Sequence, residues 1–325
     1  MDRNNIIGFI LIALLLFVYF TFFAPQPVPP AVNPAPEQSA AIAVKKDSVV
    51  APADTALVNA LGLNATSPEQ IAVLENKDLR VELTSRGGKP VRAELRNYKT
   101  YDGNKLELIT PASSRFSLTA AFDGRETDLF GLPYAVTSEK TGDSSRVIFT
   151  AASGGRRITH TWSLPAEGFV VRYRLETAGV VLQKETVTFD WTNLMPLVEK
   201  DMTDSRTKTA VNLHTAADGT DGTSESSLDP ESMPVPAGTD WVGMKQKFFL
   251  SAILSGDGFA GGNIGTTVNP LDSQTVKTGT VSLLMPAKKI TAGGAQFGFY
   301  FGPNDYKTLG GIADGLEDNV YLGWP

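Results

Sequence analysis

From Ile71 onward, apolar and polar residues alternate along the chain. In DLRVELTS, Leu79, Val81 and Leu83 fall on one side, and Arg80, Glu82 and Thr84 on the other. PVRAELRNY repeats the pattern, with Val91, Ala93 and Leu95 opposite Arg92, Glu94 and Arg96. Successive side chains of an extended chain point to opposite faces, so this period predicts strands with one dry face and one wet face. SRGGK between the two segments supplies glycines for a tight turn, and Asp102-Gly103-Asn104 predicts another hairpin ahead of KLELIT. The alternation returns in RITHTWSL (Ile158, His160, Trp162, Leu164), FVVRYRLET (Phe169, Val171, Tyr173, Leu175) and TVTFDWTN (Val187, Phe189, Trp191). KFFLSAIL, TVSLLMP and AQFGFYFG read as later strands. From Lys208 to Thr239 the pattern lapses into a polar Gly/Ser/Asp run, expected to be a long loop or insertion, and SGDGFAGGNIG (Ser255 to Gly265) reads as a β-hairpin loop. No long segment after Phe23 has a helical period. Many short strands separated by turns predict an all-β body of antiparallel sheets stacked face to face.

The first segment differs. Ile6 to Phe23 carries no charge. As a helix rising 1.5 Å per residue it would be roughly 27 Å long, close to the hydrocarbon thickness of a bilayer. A cleaved export signal has a shorter apolar stretch ending in small residues, whereas this one ends in Phe20, Thr21, Phe22 and Phe23. The reading is an uncleaved signal-anchor, with a cleaved signal as the rival. Its lipid-facing residues would include Ile6, Ile7, Phe9, Leu11, Leu14, Leu15, Phe17, Tyr19, Phe22 and Phe23. Arg3 precedes the segment, and no Lys or Arg follows until Lys45, which predicts a cytoplasmic N-terminus and an exported remainder. Eight prolines between Pro25 and Pro68 then predict a disordered, semi-extended linker. The expected organisation is an anchor at 1–24, a linker at 25–69, a β-sandwich at 70–303 and a C-terminal segment at 304–325.

Composition narrows the chemistry. The 325 residues hold 29 basic and 35 acidic side chains, a net charge of -6, which argues against nucleic acid as a partner. Cysteine is absent, so disulfides, thiolate catalysis and cysteine metal sites are excluded. Of the two histidines, His160 lies on the apolar side of its strand beside Trp162 and reads as a core or groove residue rather than a ligand, while His214, by the polar run, reads as solvent-facing. No G-x-S-x-G elbow, P-loop or dinucleotide fingerprint is present, and the spacing of Asp218 and Asp221 does not match a calcium loop. No enzyme class, cofactor or metal is therefore expected.

Several stretches, in order, carry a resemblance. MDRNNIIGFILIALL, LENKDLRVELTSRGGKPVRAELRNYKTYDGNKLELI, WTNLMPLVEKD, DWVGMKQKFFLSAIL, FYFGPNDYKTLG and LEDNVYLGWP together resemble the YidC membrane-protein insertases of the Bacteroidetes type, over nearly the whole chain. The resemblance implies a large twisted antiparallel β-sandwich of the galactose-mutarotase-like supersandwich kind. It implies a periplasmic domain held at the bacterial inner membrane that assists insertion and folding of nascent membrane proteins, with or without the Sec translocon and its accessory subunits. It also leads one to expect that a helical insertase core lies beyond Pro325 and is not in this chain. Tyr306, Leu309, Leu316, Tyr321 and Trp324 are the expected partner or interface contacts, with packing on the sandwich edge as the other reading. An anchored carbohydrate-binding or carbohydrate-modifying sandwich is the alternative function. It predicts a cleft where His160 or His214 meets a carboxylate beside an exposed aromatic such as Trp162. A purely structural envelope protein is the third.

Overall fold

The computed structural model describes residues 68–141 and 144–320. The segment expected to be an anchor, most of the linker, and Tyr321 and Trp324 lie outside the described residues. Among the described residues nineteen strands form three sheets, and every strand pairing is antiparallel.

The first sheet is β1 (Ile71–Glu75), β2 (Leu79–Thr84), β3 (Lys89–Lys99) and β4 (Lys105–Ile109), in that order. A six-stranded sheet holds β5 (Ser114–Phe122), β6 (Arg125–Asp128), β11 (Thr186–Pro196), β14 (Glu231–Val235), β17 (Gly262–Thr267) and β18 (Thr275–Pro286). Its order is β14-β17-β18-β11-β5-β6. The third and largest sheet has nine strands. They are β7 (Ala135–Thr141), β8 (Ser144–Ser153), β9 (Arg156–Leu164), β10 (Val170–Ala178), β12 (Ala210–Thr215), β13 (Gly219–Gly222), β15 (Thr239–Lys245), β16 (Phe249–Phe259) and β19 (Ala295–Pro303). They run in the order β13-β12-β15-β16-β19-β10-β9-β8-β7. Three short α-helices, α1 (Met202–Arg206), α2 (Ala287–Gly293) and α3 (Tyr306–Gly310), and two 3₁₀ turns, Leu129–Gly131 and Leu316–Asn319, complete the described chain.

The two larger sheets face each other through aromatic side chains at the alternating dry positions. Phe189 of β11 meets Phe299 of β19 with ring centroids 5.9 Å apart, and Trp191 meets Phe301 at 6.2 Å. The apolar side of the four-stranded sheet joins the same core through Leu79, Val81, Leu83, Ala93 and Leu95. The β2–β3 turn wedges into this core. Gly87 and Gly88 both have positive φ, and a Cβ on Gly87 would overlap the Phe130 carbonyl oxygen. The Gly88 carbonyl accepts a hydrogen bond from Trp162 Nε1 at 2.7 Å. Glycine is required here both for conformation and for room.

Three expectations need correction. Strand β3 is bulged: Glu82 pairs with Arg92 but Leu83 pairs with Pro90, so Pro90 is buried and Val91 is only partly so. One extra residue inverts the side-chain phase locally. The polar run from Lys208 to Thr239 is not one long loop; it contains β12, β13 and β14. Between β13 and β14 the chain is held by two buried lysines. Lys277 Nζ donates to the Glu225 and Ser227 carbonyls, both at 2.9 Å, and Lys245 pairs with the Glu225 carboxylate. These bonds pin a polar segment that has few apolar side chains of its own. Finally, Ser255 to Gly265 is a crossover rather than a hairpin loop, because β16 belongs to the nine-stranded sheet and β17 to the six-stranded one. Gly261 and Gly262 make that passage at positive φ, Gly262 lying against the Ser282 carbonyl.

Candidate functional site

On β9, β10, β16 and β19 the dry positions point to the other sheet, so their intervening residues line the outer face. Thr161 and Ser163 come from β9, Val170, Arg172 and Arg174 from β10, Gln296 and Gly298 from β19, and Leu254 from β16. With Arg146 of β8 they bound a groove of about 710 Å³. Gly298 sets its floor: a Cβ there would stand 3.0 Å from Leu254 Cδ1 and 3.3 Å from Val170 Cγ1. Asp257, the one carboxylate among the lining residues, bonds Lys289 at 2.7 Å. The lining therefore contains arginines, hydroxyls, an amide and a few apolar side chains, without a paired acid and base.

The C-terminal segment covers the neighbouring part of the same outer face. Leu309 and Leu316 have no exposure and pack with Trp241, Leu250, Ala252 and Tyr300. This explains why β16 reads as apolar on both sides: one face meets the core, the other meets this segment. Asp305 caps α3 by accepting from Thr308 N at 2.9 Å, and Gly315 at positive φ turns the chain into a 3₁₀ turn over Leu316–Asn319. Trp241 Nε1 donates to the Asp314 carbonyl at 2.9 Å, Asn212 Nδ2 to Asn319 Oδ1 at 3.0 Å, and Asn304 Nδ2 to the Asn319 carbonyl at 2.9 Å. Of the residues expected at an interface, Tyr306 is on the surface, whereas Leu309 and Leu316 are inside. Leu254 and Val170 touch this packed cluster and also line the groove, so the two features adjoin.

His160 is a fully buried hub. Its Nδ1 lies 2.8 Å from the Tyr173 hydroxyl and its Nε2 lies 2.9 Å from that of Tyr134. Tyr134 gives its own proton to the Leu129 carbonyl at 2.8 Å. Nε2 must therefore carry the hydrogen and donate to Tyr134, while Nδ1 accepts from Tyr173. A neutral ring is fully satisfied, and burial pushes its pKa down from 6.5 to about 3. The same burial raises both tyrosine pKa values.

His214 is not solvent-facing. It is 6% exposed, stacks on Trp241 at 5.8 Å, and lies against Gly315, where a Cβ would come within 2.6 Å of Cδ2. Its Nδ1 is 3.1 Å from Asp240 Oδ2. This pair supports the C-terminal segment from beneath. The cleft expected for a carbohydrate enzyme is not assembled around either histidine: His160 bonds two tyrosines, Trp162 is fully buried, and the aromatic beside His214 is the buried Trp241.

A second concavity, about 630 Å³, lies on the wet face of the four-stranded sheet. It is lined by Glu75, Arg80, Glu82, Arg92, Glu94, Arg96, Lys105 and Glu107, which pair with one another. Four acids against four bases leave no net charge to offer a ligand, and the ladder reads as a solvated face that supports the sheet.

The model of the YidC periplasmic domain family matches residues 71–325. The chain belongs to this family. Among curated relatives, the membrane protein insertase YidC of Cytophaga hutchinsonii is 34% identical over 352 residues, covering 100% of this chain and 56% of that protein. The YidC of Amoebophilus asiaticus is 30% identical over 343 residues, again with 100% and 56% coverage. The chain thus spans little more than half the length of these YidC relatives. Similar solved structures include a galactose mutarotase-like protein from Lactobacillus casei (TM-score 0.46, 10% identity, 72% of this chain and 100% of that one). A galactose 1-epimerase from Lactobacillus acidophilus gives a TM-score of 0.42 at 12% identity, covering 74% and 96%.

Sequence reading did not single out the YidC-type domain's outer groove. Most of its residues occupy the ordinary outward positions of alternating strands, and nothing in a single strand tells that five of them form one hollow.

Proposed function

We propose that this chain is the membrane-held periplasmic domain of a YidC-type insertase, acting as a docking surface that assists insertion and folding of inner-membrane proteins. In this reading, residues 6–23 stay in the inner membrane with the N-terminus in the cytoplasm, and 25–69 form the linker. The sandwich at 70–303 stands in the periplasm, and 304–325 lead back toward the bilayer. Work beside the Sec translocon and its accessory subunits belongs to the same proposal. The observation that carries it is the family match over residues 71–325. Two features of the geometry support a passive surface. The groove lacks a paired acid and base, and the C-terminal segment is fastened to the sheet that forms the groove.

The end of the sandwich where Val320 lies also suits a bilayer. Tyr101 N donates to the Val198 carbonyl, Leu197 N to that of Gln274, and Asn304 N to that of Phe248, tying the local turns together. Tyr101, Phe248, Leu271 and Tyr306, on these turns, are 48% to 92% exposed. Amphipathic rings and scattered apolar side chains settle at membrane–water interfaces.

The test is a photo-crosslinker placed at Gln296 or Tyr306 of the full chain in its native membrane, combined with protease treatment of intact spheroplasts. Cleavage of the sandwich from outside, with crosslinks to newly made membrane proteins, is expected. A protease-resistant sandwich, or crosslinks confined to soluble proteins, would reject the assignment.

A further inference from the structure

The strand register arranges the groove's cations in rows. Arg146 of β8 stands opposite Ser163 of β9, and Ser163 stands opposite Arg172 of β10. Strands lie about 4.8 Å apart, so the two arginines straddle the serine at roughly 10 Å. The row continues through Gly298 of β19 to Leu254 of β16. On the adjacent outward row, Thr161 faces Arg174, which faces Gln296. Side chains in one row share a face, and serine and glycine are too short to fill the space between their neighbours. The result is a trough with cations on its sides and small polar groups along its floor.

Three arginines and one carboxylate line it, and that carboxylate, Asp257, is held by Lys289 rather than by an arginine. Arg172 forms no salt bridge among the described residues. Arg146 comes only within 3.9 Å of Glu139, and Arg174 pairs with Glu176 at 3.0 Å. The groove is thus a locally positive site on a chain of net charge -6. Guanidinium groups match carboxylates in a planar, two-bond fork. The row from Arg146 to Leu254 crosses five strands, roughly 19 Å, the length of about six residues of extended chain. Val170 and Leu254 add an apolar seat at its far end. Length, apolar seat and spaced cations suit a polypeptide better than a single small anion.

We infer that the groove binds an acidic, extended polypeptide segment laid across the strands, with Arg146 and Arg172 holding carboxylates on either side of Ser163. The inference rests on the proposed docking role for the identity of the occupant. Segments of membrane proteins that end up on the far side of the bilayer are poor in Lys and Arg, which is the composition an arginine-lined trough accepts.

The test uses the full chain in neutral detergent and fluorescent octapeptides read by anisotropy. One peptide alternates Glu and Asp with Ala and Leu; its twin carries Gln and Asn instead. The acidic peptide is expected to bind at least about tenfold more tightly, since charge-assisted hydrogen bonds are the stronger kind. Arg172→Gln and Arg146→Gln should each remove most of that preference while leaving the thermal midpoint unchanged, and Arg172→Lys should restore part of it. Equal affinity for the two peptides overturns the inference, as does an Arg172→Gln chain that keeps the full preference. Displacement of the acidic peptide by vesicles of anionic phospholipid at concentrations where vesicles of neutral phospholipid and excess unlabelled acidic peptide compete far more weakly would assign the groove to lipid headgroups and overturn it too. If crosslinks from Gln296 to new membrane proteins persist without an acidic preference, the docking role stands and only this inference falls.

Discussion

His160 shows how a single residue can make a core depend on pH. Its ring must stay neutral to accept from Tyr173, and burial holds its pKa at about 3 against an ordinary 6.5. The unfolded chain takes up a proton that the folded chain refuses, so stability is full above pH 6.5 and falls as pH drops toward 3. At pH 5 the loss from this group should be about 2 kcal/mol relative to pH 7.5. Thermal unfolding of the full chain at the two pH values measures it. His160→Phe should flatten that dependence while costing about 1–3 kcal/mol at neutral pH, because the Tyr173 hydroxyl is left buried without its acceptor. A variant that keeps the original slope would show that another group titrates. Gly87→Ala is a second expectation at this scale. Its φ of 105° and the facing Phe130 carbonyl leave no place for a methyl group, so a clear fall in the thermal midpoint should follow.

Among the elements, the C-terminal segment decides the most. Its helix has only five residues and would not persist alone. Tertiary packing on β15, β16 and β19 holds it, through Leu309 and Leu316. Leu316→Ala should cost about 2–5 kcal/mol if the whole sandwich senses the cavity, and less if only the segment loosens. Loosening has its own readout, because the segment covers Trp241 while Trp162 and Trp191 lie in the main core. Leu309→Ala combined with Leu316→Ala should shift tryptophan emission to the red and raise its quenching by iodide. Unchanged emission would mean that Trp241 is shielded by something other than this segment.

At the scale of the whole molecule, the exposed apolar side chains divide unevenly between the ends of the strands. Tyr101, Phe248, Leu271 and Tyr306 share the end at which the described chain stops, while exposed Val181 is at the opposite end. The chain has no cysteine, so single cysteines can be labelled without background. With the full chain in nanodiscs, an environment-sensitive dye at Leu271→Cys should be quenched by spin-labelled lipid several-fold more than one at Val181→Cys. Equal quenching would remove the proposal that this end faces the bilayer.

Alternation alone determined that this chain folds into antiparallel strands, and it identified the dry faces of β2, β9, β10 and β11, because side-chain direction in a strand is set by local geometry. It also placed His160 on the apolar face, since an even offset from Ile158 and Trp162 allows no other, and the structure puts it in the core rather than a groove. Ordered short matches in the sequence indicated the family that residues 71–325 share. Tertiary structure decided everything that depends on distance across strands. The bulge at Val91 follows from the register of the β2–β3 pair, and the strands inside the polar run, the burial of His214 and the crossover after Phe259 follow from partners farther away in the chain. So does the groove: Arg146, Ser163 and Arg172 become neighbours only through strand register, and register is a property of paired strands, not of any one of them.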